Sequence, residues 1–353
     1  MDLNRIVKFF LPNHSIKSVE PFGNGHINST YKVVLSNSVE YILQKLNTQV
    51  FTNPKRIVEN HHRIRDSIQF EGIEIPVLSR TKQGGYLYVD KDNRIWRMMN
   101  FIKDSYSIEV VKNEDQAFEA GRAFGWFLNA CSNLESSSFH EVIKDFHSIQ
   151  FRYKQLNEAT QQDIANRVSG AKELIKFYKE REKELVDVEE LIRTKKIPLR
   201  VVHNDTKINN LLFRNKKSIA VIDLDTVGPG SVLFDYGDAI RTITNVTAED
   251  EKDLTKINFN IRTFKSFTKA YLEETRNILT EKEKEILYIA PFYMTVIMGI
   301  RFLADYLNGD IYYRTEYNEH NLIRSRVQKT LIEKMDFNLK QIKYTITELI
   351  SQR

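Results

Sequence analysis

The pattern of apolar and polar positions changes once along this chain. Up to about residue 102, short apolar alternations broken by polar turns predict strands at Ser15–Pro21, Thr30–Leu35 and Val39–Leu46. Ser36-Asn37-Ser38 supplies the tight second turn, whereas Phe22 to Asn28 is a longer, polar first turn. Asn53-Pro54 predicts a helix start with proline in the first turn, and the helix runs to about Gln69. Ile75–Leu78, Gly85–Val89 and Arg94–Ile102 predict further strands. From about residue 110 the period becomes helical. Ala117, Gly121, Phe124 and Leu128 line one face of Glu114–Ala130, and a stripe from Leu174 to Leu191 marks a charged helix over Ala171–Lys196. Further helices are predicted near 248–278, 280–307 and 318–350. The pattern breaks at Lys103-Asp104-Ser105, which divides an N-terminal unit, 1–102, from a larger unit, 103–353.

One segment interrupts the helices. His203-Asn204-Asp205-Thr206-Lys207-Ile208-Asn209-Asn210 reads H-x-D-x-K-x-x-N and is followed by Ile222-Asp223-Leu224-Asp225. Between them two apolar runs flank a polar turn, so a β-hairpin is predicted. The hairpin brings Asp205, Asn210 and Asp223 to one end of a rigid element. Phosphoryl transfer needs such a set, a carboxylate to orient a hydroxyl and oxygen ligands for Mg²⁺.

Composition narrows the classes. The 353 residues, 41% hydrophobic, suffice for two lobes, and 52 basic residues against 47 acidic ones leave a net charge of +5 with no basic stripe for nucleic acid. Cys131 is the only cysteine, which excludes an intrachain disulfide and a cysteine metal site. The first residues lack the apolar length of a signal peptide, and the apolar run Ile286–Ile300 is short for a bilayer and holds Pro291. A cytoplasmic protein without membrane or nucleic-acid partners, a monomer or dimer, is the expectation.

The order of strands, helix, strands, helices, H-x-D loop, hairpin and I-D-x-D resembles the protein-kinase-like fold, and within it the aminoglycoside phosphotransferase and choline kinase superfamily, over nearly the whole chain. The segments Pro21–Tyr31, Tyr41–Asn47, Ile222–Gly230 and Arg301–Asp310 are similar to N-acetylhexosamine 1-kinases, which phosphorylate the anomeric hydroxyl of N-acetylglucosamine or N-acetylgalactosamine with ATP and Mg²⁺. The resemblance implies an α+β fold of two lobes, a nucleotide and a sugar acceptor as partners, and ATP and Mg²⁺ as co-substrate and metal. Rival readings are a kinase of another hydroxyl compound, such as choline or an aminoglycoside, and a nucleotide-binding pseudokinase. A protein kinase is disfavoured, since no APE-like motif follows Asp223.

Carried onto this sequence, the resemblance makes Asp205 the catalytic carboxylate and Asn210 and Asp223 the Mg²⁺ ligands. Lys207 either neutralises the transferring phosphoryl group or is a solvated loop lysine, and Asp225 either serves a second metal through water or binds its own loop. His203 reads as structural. Gly23, Asn24 and Gly25 would let backbone N–H groups approach the phosphates. The basic residue most relatives carry on the third strand aligns with Gln44, so Lys45, one position off, reaches phosphate only through a bulge. Glu59 is its candidate partner or a solvent-facing residue. The adenine would bond main-chain groups around Met99–Phe101. For the acceptor, His26, Arg301, Asp305, Tyr306 and Tyr312 offer directional bonds and aromatic surface, although Arg301 and Asp305 also have the spacing of an ordinary helix salt bridge. Asp235 is expected to fix the loop backbone.

Overall fold

The computed structural model describes residues 2–23, 27–69 and 72–352. Chain order begins with α1 (Leu3–Phe10), β1 (Ile16–Pro21), β2 (Ser29–Leu35), β3 (Glu40–Lys45), α2 (Pro54–Ser67), β4 (Tyr88–Val89) and β5 (Ile95–Asn100). The five strands form one antiparallel sheet in the order β1-β2-β3-β5-β4. Helix α1 has no counterpart in the strand pattern. Asp2 caps it by accepting from the Arg5 amide at 3.1 Å, and its apolar face, Ile6, Val7 and Phe10, covers Val33, Leu43, Trp96 and Met98. Eight residues give too few turns for a period to stand out.

The predicted strand at Ile75–Leu78 is a connector instead. It makes one parallel bridge, Glu74 to Ala220, and one antiparallel bridge, Leu78 to Met99, and Pro76 between them has no N–H to continue a ladder. Although it precedes residue 102, this stretch and the end of α2 add Ile64, Ile68, Ile73 and Ile75 to the larger core.

The helical part contains α3 (Glu114–Ala130), α4 (Ile149–Gln162), α5 (Val168–Lys179), α6 (Glu182–Arg193), β6 (Arg200–Val202), β7 (Leu211–Arg214), β8 (Lys217–Val221), β9 (Gly228–Gly230), α7 (Val232–Ile243), α8 (Ile261–Thr275), α9 (Glu281–Ile286), α10 (Ala290–Leu307), α11 (His320–Phe337) and α12 (Leu339–Ser351). The predicted hairpin is β7–β8. Three predicted helices differ in extent. The charged one breaks at Glu180-Arg181 into α5 and α6, and the last breaks at Asn338. The one near 248–278 begins only at Ile261, where the Asn260 carboxamide accepts from the Arg262 amide at 3.0 Å.

Helix α10 ends a helical stretch, Glu281–Leu307, that is long and apolar enough to cross a bilayer, but 89% of that stretch's most apolar part is buried, as befits a core helix. Pro291 sits in its first turn, where a missing N–H costs nothing. Helices α3 and α8 cross at Gly121, where a Cβ would meet the Phe267 carbonyl oxygen at 2.2 Å.

Candidate active site

The H-x-D loop leaves β6, which pairs with β9 and so sets the I-D-x-D loop beside it. The close approach needs Gly230, since a Cβ there would lie 2.4 Å from Val202 Cγ2 and 2.7 Å from Asn204 Oδ1. His203 is fully buried, edge-on to Phe127 at 5.5 Å, and its Nε2 donates to the Ile222 carbonyl at 2.9 Å. Burial lowers its pKa, so it ties the two loops together as a neutral ring. Asn204 adopts the left-handed region (φ 64), which asparagine tolerates. Asp235, buried at the start of α7, accepts from the amides of His203 (2.8 Å) and Asn204 (2.7 Å), as expected of a loop-fixing residue. Burial raises its carboxyl to about 7 against the pull of those two bonds.

Asp205 projects from this braced loop. Lys207 Nζ lies 2.7 Å from its Oδ1, and Asn210 Nδ2 donates to its Oδ2 at 3.0 Å and to its carbonyl at 2.8 Å. Burial alone would raise the Asp205 pKa, but Lys207, His203 and Asn210 outweigh it, and the carboxyl stays ionised below its ordinary value. Lys207 is shifted upward, since Asp205 and Asp238 outweigh its burial. Its side chain, 40% exposed, faces solvent as well as Asp205.

Asp223 opens the second loop in a left-handed conformation (φ 59) that few non-glycine residues hold. Partial withdrawal from bulk water, then repulsion by Asp225 and Asp205, raises its carboxyl above the ordinary value, while the side chain still reaches solvent. Excess negative charge of this kind fits a divalent cation. Asn210, whose amide nitrogen is occupied by Asp205, keeps its carbonyl oxygen for the same ion. Mg²⁺ takes one or two protein oxygens beside substrate phosphates and water, the number that Asn210 and Asp223 would offer.

Asp225 is turned toward the sheet side rather than to its own loop. Its Oδ1 pairs with Arg97 Nη2 of β5 at 2.5 Å, and its Oδ2 accepts from Asn28 Nδ2 at 2.8 Å. Asn28 in turn accepts from the Asn47 amide at 3.0 Å. Arg97 comes from the sheet and Asn28 directly precedes β2, and the site assignment from sequence lacked them both. No bulge brings Lys45 inward. Register sets it opposite Trp96, on the α1 face with Leu43, whereas Gln44, Thr30 and Arg97 share the opposite face. Glu59 bonds His140 at 2.6 Å on the surface.

Gly23 has a left-handed φ of 77, as its turn requires, while Asn24, Gly25 and His26 lie outside the described residues. A recess of about 270 Å³ is lined by Phe22, Gly23, Asn28 and Thr30. Met99 is buried, and the Phe101 amide is already committed to the Glu40 carbonyl at 3.2 Å, so it is not a free donor for a base. Phe101 instead offers its ring, edge-on to Phe22 at 5.7 Å.

The acceptor residues separate into three. Arg301 makes no ion pair with Asp305. Its guanidinium lies over Phe146 at 5.0 Å, Tyr313 at 5.6 Å and Tyr312 at 6.0 Å. Asp305 is a loop organiser, accepting the amides of Ile311 (3.0 Å), Tyr312 (2.8 Å) and Tyr313 (3.0 Å) and the Asn321 amide group (2.9 Å). Tyr306 faces away, stacked under Arg167 at 4.5 Å. Phe146, in a stretch without a periodic signal, joins the two regions, because its neighbour His147 donates to the Asn204 carbonyl at 2.9 Å.

Comparison with known proteins settles the class. The family model described as phosphotransferase enzyme family matches residues 18–258, more than half of the chain. The chain belongs to the phosphotransferase enzyme family. Among solved structures, this phosphotransferase is similar to the amicoumacin kinase hAmiN in complex with AMP-PNP, Ca²⁺ and Ami, at 12% identity and TM-score 0.62 over 95% of this chain and 94% of that one. It is similar to the ADP-bound aminoglycoside phosphotransferase APH(2'')-Ib, at 15% and 0.59 over 95% and 99%. It is also similar to choline kinase from Cryptosporidium parvum Iowa II, at 15% and 0.60 over 98% and 100%. These likenesses establish a protein-kinase-like fold, with an N-terminal antiparallel sheet and a helical C-terminal part.

Proposed function

We propose that this phosphotransferase is an ATP- and Mg²⁺-dependent kinase that phosphorylates a sugar hydroxyl, and that its acceptor is the anomeric hydroxyl of an N-acetylhexosamine. The observation that carries the kinase reading is Asp205, ionised and held between Lys207 and Asn210 on a loop braced by Asp235, with Asp223 opposite. Asp205 accepts the hydrogen bond of the acceptor hydroxyl and so aims its oxygen at the γ-phosphorus. The new oxygen–phosphorus bond forms in line with the breaking bond to ADP, and the hydroxyl proton passes late to Asp205. Lys207 offsets charge on the transferring group. Asn210 and Asp223 would hold Mg²⁺, which neutralises the phosphate oxygens.

The sugar assignment has separate support. The aromatic wall of Phe146, Tyr312 and Tyr313 under Arg301 suits a neutral ring with directional hydroxyls. A polycation would want free carboxylates there, but Asp238 and Glu249 are paired with Arg241 at 2.8 and 2.9 Å, and Asp305 is occupied by its loop. The test is ADP release from Mg·ATP across N-acetylglucosamine, N-acetylgalactosamine, glucose, choline and kanamycin. Turnover with the N-acetylhexosamines, giving an acid-labile phosphate, supports the full reading. Turnover only with choline or kanamycin removes the sugar and leaves the kinase.

A further inference from the structure

We propose that Arg97, reaching across from β5, supplies the positive charge that β3 lacks at Gln44, and that it acts by holding Asp225 in place beside the Mg·nucleotide site. The inference rests on the kinase reading above. A site for a polyanion and a divalent cation, walled by a sheet, needs a fixed cation on the sheet face turned to the metal loop. The candidates on that sheet are few. Lys45 alternates to the opposite face. Lys32 shares the face of Thr30 but is paired with Glu40 at 2.7 Å. Arg97 stands opposite Gln44 in the β3–β5 register and is almost wholly buried.

Its contacts form a relay. Arg97 Nε and Nη2 both donate to Gln44 Oε1, at 2.9 and 2.6 Å, and Gln44 Nε2 donates to Thr30 Oγ1 at 3.1 Å. The glutamine is thereby an acceptor that orients the guanidinium, a part no lysine at 44 could play. The same Nη2 pairs with Asp225, which is also buried. Helix α2 supplies no competing carboxylate. Glu59 is engaged with His140 outside, and His61, near Arg97, is held neutral by burial and donates to the Pro76 carbonyl at 2.7 Å. A buried guanidinium needs a buried anion, and here that anion belongs to the loop that presents Asp223. Arg97 is therefore a positioning residue. It cancels one of the two carboxylate charges on the loop and keeps Asp225 from swinging toward the metal that Asp223 would hold. Relocating the cation also explains the glutamine, because a lysine at 44 would face the guanidinium directly.

The test is a charge exchange read by binding. Mg·ATP affinity of the full chain is measured by titration calorimetry over a range of Mg²⁺ concentrations, with thermal melting in parallel, for the parent, Arg97→Gln, Arg97→Lys and the double variant Gln44→Lys with Arg97→Gln. The expected result is a loss of at least tenfold in Mg·ATP affinity for Arg97→Gln, with a higher Mg²⁺ requirement. Arg97→Lys, which keeps the charge, loses only a few-fold. The double variant returns to within about fivefold of the parent, because the cation is back on the sheet at position 44. Should Arg97→Gln fail to fold, the lysine variant and the double variant still decide the matter. Parent-like binding by folded Arg97→Gln, or a folded double variant no better than Arg97→Gln, overturns the role of Arg97 alone. A parent that binds no Mg·ATP overturns the kinase reading, and this inference with it.

Discussion

Asp305 offers a sharp test of the acceptor end, because helix spacing suggests one partner and the structure gives it others. Its buried carboxylate takes four N–H groups, three from the backbone of 311–313 and one from Asn321. A hydrogen bond to a charged group contributes about 1.5–3 kcal/mol net, so four would sum to about 6–12 kcal/mol if nothing relaxed. Relaxation is available, because Ile311 is 80% and Tyr312 is 55% exposed and their amides can turn to water. The cost of Asp305→Ala is then limited to undocking the loop, about 3–4 kcal/mol, in the range for breaking a buried charge network. Asp305→Asn keeps one acceptor but turns an NH₂ group toward a second donor, for about 1–2 kcal/mol. Arg301 makes no ion pair with Asp305 but lies on Tyr312 and Tyr313, so undocking the loop also costs it those contacts. Urea unfolding of Arg301→Gln separates the two readings: Asp305 keeps its four N–H partners, so the expected cost is below about 1 kcal/mol. A cost of about 3–5 kcal/mol, the scale for leaving a buried carboxylate without its cation, would restore the helix salt bridge and refute the loop-organising role.

Other predictions reach the remaining parts of the molecule. Asp205→Asn should lower turnover by at least about 10²-fold, the scale of a lost general base, while thermal melting and nucleotide binding stay near the parent. Asp223→Asn should weaken Mg²⁺-dependent nucleotide binding, whereas binding measured without Mg²⁺ changes little; equal loss in both conditions would remove it from the metal. Burial holds His61 and His147 at about 4 when folded, against about 6.5 when unfolded. Their stabilising contribution is complete above pH 6.5 and is lost as pH falls toward 4, by up to about 3 kcal/mol each. Urea titrations at pH 7 and pH 4.5 should show the drop, and replacing His147 with Gln should flatten it. Gly121→Ala should cost about 2–4 kcal/mol by urea unfolding, since the added methyl meets a backbone carbonyl that cannot move aside; an unchanged midpoint would mean α3 and α8 slide freely.

What could be read from the sequence was whatever is local. Asp205, Asn210 and Asp223 fall within one hairpin and its flanks, so spacing alone sets them at one end of it. Strands β2 and β3 were visible through their alternation, and α3 through its four-residue apolar spacing. Arg97 was not visible as a site residue, because its partner Gln44 is set by strand register and its partner Asp225 lies far along the chain. Asp305 misled for the same reason. Its spacing from Arg301 is a local signal, but the amides of 311–313 arrive from a loop whose return no periodicity reports. Helix α4 went unread because its apolar positions are mixed with polar ones and its hydrophobic face is narrow.

The short segment from Asp225 to Val227 is gripped from both sides. Arg97 of the sheet and Asn28, directly before β2, hold Asp225, and Asn60 of α2 donates to the Val227 carbonyl at 2.8 Å. From the helical side, Asn204 donates to the Thr226 carbonyl at 3.0 Å, and Thr226 Oγ1 donates to the His203 carbonyl at 2.9 Å. A piece of chain clamped by two bodies is a fulcrum for both. A rotation of the sheet against the helices would turn about it and leave the neighbourhood of Asp223 least changed. On the kinase reading proposed above, the phosphate end of the site would then hold its shape while the acceptor end adjusts.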